Sequence, residues 1–374
     1  MVVDATDEPR APDGLDHNMD CFRVLSLDGG GMRGLYTATY LSCLLEGFAR
    51  KRKVPALDLG SAFDLIVGTS TGAIIACAVA NGVSLSTVAK FYRDCGKDIF
   101  RRPLPGNVLE VVWDMARRSS WLEAGDNALR VSLEGVLGNA TIGELYAARG
   151  IALAIPAVEM EHHSPIVLKT PHLPDSIHRD DGYRLVDVCL ASSAAPIYRS
   201  LAAIDNPGSS GGFRVFADGG LWANNPVLVG LIDALRMTKP GDRIEIYCLG
   251  TCPRPAGEMV PKDKTHRGLG EWKFGGDVAT LAIDAQEAAY DQMAKMLSQH
   301  VARDCRVVRF PREQVPAQLQ SYLDLDDTSD DAARALIAQA KRDVEMTNSY
   351  CSDLQNNDGQ LVNRLCMQMP ALEG

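Results

Sequence analysis

Residues 63–72 read FDLIVGTSTG, and the chain continues as AIIACAVA. An apolar run stops at Gly68, a serine sits between two glycines, and an alanine-rich run follows. The spacing is G-x-S-x-G at positions 68, 70 and 72. A strand that feeds abruptly into a helix forces its corner residue into a strained conformation and leaves that side chain exposed. Small neighbours are needed where the two arms of the turn pass. The helix behind the corner aims its N-terminal N–H groups and positive dipole end at the same point. Ser70 is therefore a candidate nucleophile, with Gly68 and Gly72 as the small residues of its elbow. A purely structural strand–helix turn is the other reading of the same ten residues.

Working outward, FRVLSLD (22–28) reads as a strand and 35–51 as a helix, with Leu35, Leu41, Leu44, Leu45 and Phe48 on one face. FDLIVG is a second strand, TGAIIACAVANG a helix, and residues 84–100 another helix with Ser84 or Ser86 as its cap. This alternation predicts an α/β fold with a central, mostly parallel sheet and helices packed on it. Residues 103–140 read as less regular. Residues 151–161 and 164–172 read as two strands joined by a turn, and 184–198 as a helix ending at Pro196. A strand at 213–218 runs into a glycine turn, and 243–251 is a further strand. From about residue 276 helical patterns dominate.

With 46% apolar and 23% charged residues, the 374-residue chain has a globular composition and a sizeable core. The net charge of −10 argues against nucleic acid as a partner and against standing attraction to an anionic surface. Ten scattered cysteines form no CxxC pair and read as reduced thiols, so no metal site is expected. Residues 1–20 lack the basic start and apolar stretch of a signal peptide and are expected to be a mobile tail. Leu65–Ala89 carries no charge and is long enough to span a bilayer. Its three glycines, its Thr–Ser–Thr triplet and Asn81 favour strand, turn and buried helix, which implies a soluble, cytoplasmic protein.

DGGGMRG (28–34) also follows a strand and opens a helix. It matches G-x-G-x-x-G, the dinucleotide fingerprint, but that reading needs an acid at the end of the next strand, and FDLIVG ends in glycine. No cofactor is expected. The alternative is a loop whose backbone N–H groups stabilise a developing oxyanion, with Arg33 as its anchor. The seven histidines (17, 162, 163, 172, 178, 266, 300) follow no strand end and turn, and a surface role is expected for each. Asp218 does follow such a strand, before Gly219 and Gly220. It could take the proton of Ser70 directly, or simply open an Asp–Gly turn.

DGGGMRG, GTSTG and DGG, in that order, together with KTPH (169–172), ASSAAPIY (191–198), DGGLWANNP (218–226) and LDLDDTSDDAARAL (323–336), resemble the patatin-like phospholipase family. The resemblance implies a three-layer α/β/α fold with a helical C-terminal part, a lipase domain over 21–345 and a helical extension over 346–374. It implies Ser70 as nucleophile, Asp218 as general base without a histidine, and Gly29, Gly30, Gly31, Arg33 and Gly34 as the oxyanion loop. The implied activity is release of fatty acids from membrane phospholipids, during transient contact with the inner face of the cell membrane. Some bacterial members of the family are anti-phage effectors switched on by a cyclic nucleotide, so a cyclic di- or trinucleotide activator is a further expectation. A constitutive housekeeping lipase and a non-catalytic dinucleotide-binding regulator are the alternatives. Arg101, Arg102, Trp113, Arg117, Arg118 and Trp121 gather near one amphipathic segment that could touch a membrane, cover a site or meet an anionic activator. An ordinary helix, with its apolar face in the core and its arginines outside, is the favoured reading of the segment.

Overall fold

The computed structural model describes residues 21–99, 108–207, 211–252, 259–268, 270, 272, 276–311 and 315–372. The expected N-terminal tail and Arg101 and Arg102 lie outside them. The elements in order are β1 (Cys21–Leu27), α1 (Gly34–Arg52), β2 (Leu65–Gly68), α2 (Thr71–Ala80), α3 (Leu85–Ile99), α4 (Val108–Leu137) and α5 (Ile142–Arg149). Then come β3 (Ala152–Glu159), β4 (Ser164–Lys169), α6 (Leu185–Ser192), β5 (Ala202–Asp205), β6 (Phe213–Asp218), α7 (Gly220–Ala223) and α8 (Val227–Met237). The chain closes with β7 (Arg243–Leu249), α9 (Gly276–Ser298), β8 (Asp304–Arg309), α10 (Asp330–Ser352) and α11 (Asn357–Gln368).

The eight strands form one sheet in the order β5-β6-β3-β2-β1-β7-β8, with β4 on the far edge of β3. The run β3-β2-β1-β7-β8 is parallel throughout. Successive residues of a strand point to opposite faces, and the core divides accordingly. Leu25, Leu27, Ile66, Tyr247 and Leu249 join α1, α2, α3 and α6 on one face. Val24, Leu65, Val67, Ile244 and Ile246 meet α8 on the other. This is the expected α/β/α sandwich. Leu65–Ala89 resolves into strand, turn and the fully buried α2, and Ser84 caps α3 by accepting the Thr87 N–H at 3.3 Å. No helix among the described residues is long and apolar enough to cross a membrane.

The structure adds α5, β5 and α8, which the sequence reading did not contain, and it differs from that reading at three further elements. Residues 103–140 look irregular, yet 108–137 form one long helix. Its C-terminal half buries Leu129, Leu133 and Leu137, a one-residue-wide stripe at i, i+4, i+8 that the charges between them hide. The helix expected to run to Pro196 stops at Ser192, because the carbonyls of Ser192 and Ala194 accept from Gly219 and Asp218 of the β6 end (3.1 and 2.9 Å). A residue before proline also disfavours the helical region, which removes Ala195. The third is β8, DCRVVR, an edge strand whose alternate charged residues conceal it among helical patterns. α10 runs through residue 345 and packs along α1, and α11 packs on α10.

Candidate active site

The site arises where two strands collide. β3 pairs with β4 along one edge over its last six residues. Its other edge is shared. β2 runs parallel to β3 and occupies it as far as Ala154, while β6 runs antiparallel and occupies it from Glu159 back to Ala157. β2 and β6 thus approach each other C-terminus to C-terminus, and Pro156 lies in the gap. Ser70, two residues past the end of β2, and Asp218, the last residue of β6, are thereby brought side by side although 148 residues separate them.

Ser70 has φ 55° and ψ −119°, a left-handed backbone that a side-chain-bearing residue adopts only under strain. α2 begins at the next residue. A Cβ on Gly72 would stand 2.3 Å from the Leu27 carbonyl oxygen, so the elbow closes against β1 only with glycine there. Ser192 fixes the corner from behind: its Oγ accepts the Ser70 N–H at 2.9 Å and donates to the Pro156 carbonyl at 2.7 Å. Ser70 Oγ donates to Asp218 Oδ2 at 2.8 Å, and Asp218 Oδ1 accepts the Gly220 N–H at 2.6 Å. A Cβ on Gly219 would lie 2.2 Å from the Pro156 oxygen, which explains the small residue after the acid.

Asp218 is buried, and loss of water pushes its carboxyl up to about 6. The Gly220 N–H, the Ser70 hydroxyl and the nearby Arg199 guanidinium pull the other way without winning. Arg199 is itself buried and bonded to Asp126 at 2.8 Å. A carboxylate at about 6 is ionised at neutral pH and basic enough to accept a proton, which suits a general base.

The glycine loop follows β1, and its donors can be accounted for one by one. The Gly29 N–H donates to Asn224 O (2.9 Å), that of Met32 to Leu325 O (2.9 Å) and that of Arg33 to Gly30 O (3.1 Å). The Gly34 N–H turns back to the carbonyls of Gly31 and Met32. Among the described residues no intramolecular acceptor is found for the N–H groups of Gly30 and Gly31. Arg33 Nε donates to the Gly30 carbonyl at 3.3 Å, within the loop. The Gly29 carbonyl accepts from Thr251 Oγ1 (2.8 Å) and Asn224 Nδ2 (3.3 Å), and Asn224 Nδ2 also donates to Glu287 of α9. Burial, helped by the charge of Asp28, pushes Glu287 up to about 7. Asp28, at the loop entrance, pairs with Arg309 at 2.6 Å, and Arg309 also holds Asp291 at 2.7 Å.

Ser70, Asp218, Gly30 and Gly31 all line one cavity of about 250 Å³. Its remaining wall is mainly apolar and includes Ile74, Phe91, Ile99, Leu129, Ile197 and Leu221. A strained serine on a buried carboxylate, two unengaged N–H donors and an apolar cavity together suit attack on an ester of a long apolar acid.

The sequence profile of the family described as patatin-like phospholipase matches residues 25–231. The chain belongs to the patatin-like phospholipases. Among its relatives, a "cGAMP-activated phospholipase" of Escherichia coli is 31% identical over 366 residues, 95% of this chain and 94% of the relative. A protein of the same description from Pseudomonas aeruginosa is 34% identical over 73% of this chain and 74% of its own length. A third, from Vibrio cholerae, is 29% identical over 89% and 93%. This patatin-like phospholipase is accordingly a lipid-hydrolysing enzyme.

One histidine corrects the sequence reading. His172 is buried, with Nδ1 2.7 Å from Thr170 Oγ1 and Nε2 3.4 Å from Asp233. It lies beyond the β4 end that pairs with Ala154, and it does not line the Ser70 cavity. His162, His163, His178, His266 and His300 are exposed, and His17 lies outside the described residues. Three contributors were missed by sequence reasoning. Ser192 and Asn224 sit within the quoted ASSAAPIY and DGGLWANNP patterns, where their unusual small and polar runs are the available signal. Glu287 has no local signal, because its role comes only from α9 lying against α7.

Proposed function

We propose that this chain is a phospholipase A-type serine acyl hydrolase that releases fatty acids from membrane phospholipids, with Ser70 as nucleophile and Asp218 as its base. The observation that carries this reading is the 2.8 Å hydrogen bond from a strained serine to a buried carboxylate at the floor of an apolar cavity. Ser70 Oγ attacks the ester carbonyl while its proton passes to Asp218 Oδ2. The oxyanion of the tetrahedral intermediate is held by the N–H groups of Gly30 and Gly31, out of the five loop residues expected from the sequence. Collapse expels the lysophospholipid alkoxide, which takes the proton back from Asp218. Water, deprotonated by Asp218, then attacks the acyl-serine, and fatty acid leaves as Ser70 is reprotonated.

Activation by a cyclic nucleotide is supported by the names of the three bacterial relatives, and it implies a role in antiviral defence at the inner face of the cell membrane. Residues 21–345 would form the lipase domain, with the end of α10 and α11 as an extension. The test is hydrolysis of phosphatidylcholine vesicles with and without cyclic GMP–AMP, alongside labelling by a fluorophosphonate. Ser70→Ala is expected to abolish both hydrolysis and labelling, and Asp218→Ala to abolish hydrolysis. Activity retained in either variant overturns the pair, and equal rates with and without the nucleotide would indicate a constitutive lipase.

A further inference from the structure

Ile197 sits at φ 75°, and a β-branched side chain in that region is an outlier. The residue is also 55% exposed. A soluble protein gains nothing from holding an isoleucine in a strained backbone in order to show it to water. The strain is nevertheless actively maintained. Arg118 of α4 directs two donors at the Ile197 carbonyl, Nε at 3.2 Å and Nη2 at 2.7 Å. Strain that surrounding contacts enforce is a pointer to function.

Its neighbours share the peculiarity. Leu221, just past Asp218 on α7, is 56% exposed and, like Ile197, lines the Ser70 cavity, so both stand at its mouth. Leu201 is 44% exposed. It immediately precedes β5, whose first residue, Ala202, pairs with Phe216, so it lies at the same end of the sheet as Asp218. Three aliphatic side chains from two separate segments therefore stand exposed at one end of the sheet, where the cavity opens. Exposed apolar clusters of this kind mark binding surfaces.

We propose that Ile197, Leu201 and Leu221 form the surface that seats the enzyme on a phospholipid bilayer, entering the acyl region as an apolar rim. The inference rests on the phospholipase reading, and continuity selects the occupant: an ester drawn from a bilayer can pass into the apolar cavity without its chains crossing water. The net charge of −10 gives no general attraction to anionic lipid. The rim therefore acts by apolar insertion, with little dependence on salt.

The test uses full-length protein carrying Ser70→Ala, so that vesicles stay intact, and co-sedimentation with phosphatidylcholine vesicles with and without cyclic GMP–AMP. Ile197→Asp, Leu201→Asp and Leu221→Asp should each weaken binding about tenfold or more, the scale expected when one aliphatic side chain no longer inserts. Ile197→Gly relieves the backbone strain, so its melting temperature should rise while its vesicle binding falls, a pairing that misfolding cannot mimic. In the active background, Leu201→Asp should lose vesicle hydrolysis but keep its rate on a water-soluble short-chain ester. Failure to sediment under either condition, unaltered sedimentation of the Asp variants, or binding that needs phosphatidylglycerol and vanishes in salt overturns the proposal. So does a change of oligomeric state in the variants with vesicle binding intact, which would make the rim a contact between copies. If no phospholipid is hydrolysed although the rim variants still lose sedimentation, the phospholipase reading fails and the surface stands.

Discussion

Replacing Asp218 by asparagine should make the protein inactive and more stable at once. Burial raises the Asp218 carboxyl from 3.8 to about 6, so keeping it charged at neutral pH costs the folded state about 3 kcal/mol. Asparagine resembles the protonated acid in shape. It can still accept the Gly220 N–H and remain bonded to Ser70, and Arg199 keeps Asp126. The sign follows from the direction of the shift. Below about pH 3.8 the acid is neutral in both folded and unfolded chains, and no penalty exists. Between 3.8 and 6 the unfolded chain ionises first, and wild type loses stability relative to the variant. Above 6 the gap is complete. Calorimetry should show Asp218→Asn melting about 4 °C above wild type at pH 8, given the entropy of unfolding of a chain of this length. At pH 4.5 the gap should shrink to roughly a third. The variant should hydrolyse no ester at either pH. A variant no more stable than wild type at pH 8, or a gap constant between pH 4.5 and 8, refutes the claim that the base works at a cost in stability.

The same carboxyl should set the acid limb of the rate: kcat/KM on a soluble ester should fall about tenfold per pH unit below about pH 6. That limb should barely move with temperature, because a carboxylic acid ionises with little heat, whereas a histidine base would shift it markedly. Asn224→Ala should lower kcat on the order of a hundredfold by releasing the Gly29 carbonyl and leaving Glu287 without its donor. Unchanged kcat would remove Asn224 from the support of the loop. His172→Ala should cost about 2 kcal/mol in chemical denaturation, since it strips a partner from buried Asp233. It should leave the rate per folded molecule intact, and a loss like that of Ser70→Ala would restore a histidine to the mechanism.

The legible parts of this chain are those where one local rule suffices. The parallel strands of the core are short apolar runs bounded by glycine or acid, and the elbow is a steric problem that only small residues solve, so 22–28, 63–72 and 213–220 announce themselves. What stayed hidden depends on partners far along the chain. α6 ends at Ser192 because the end of β6 takes its carbonyls, and nothing within residues 184–198 says so before Pro196. β8 is concealed because an edge strand carries charges on alternate positions, and α4 because its stripe is one residue wide. His172 looked like a loop residue, yet its burial comes from Thr170 and Asp233, the latter 61 residues away.

The loop at 28–34 shows why a motif underdetermines chemistry. The same glycines after a strand suit a pyrophosphate or an oxyanion, because in both cases backbone N–H groups must converge on negative charge. What decides is which donors the rest of the molecule consumes. Asn224 takes the Gly29 N–H from below, and Leu325 takes that of Met32. Among the described residues the amides of Gly30 and Gly31 are left without an intramolecular acceptor, and both residues line the cavity with Ser70. Under the proposed mechanism, two adjacent donors in the cavity of one serine serve a single oxygen atom of a tetrahedral carbon, whereas a diphosphate needs a row of donors along the helix start. In that mechanism the selection falls to Asn224 and Leu325, roughly 195 and 295 residues downstream, so the loop would acquire its chemistry only when the later half of the chain folds against it.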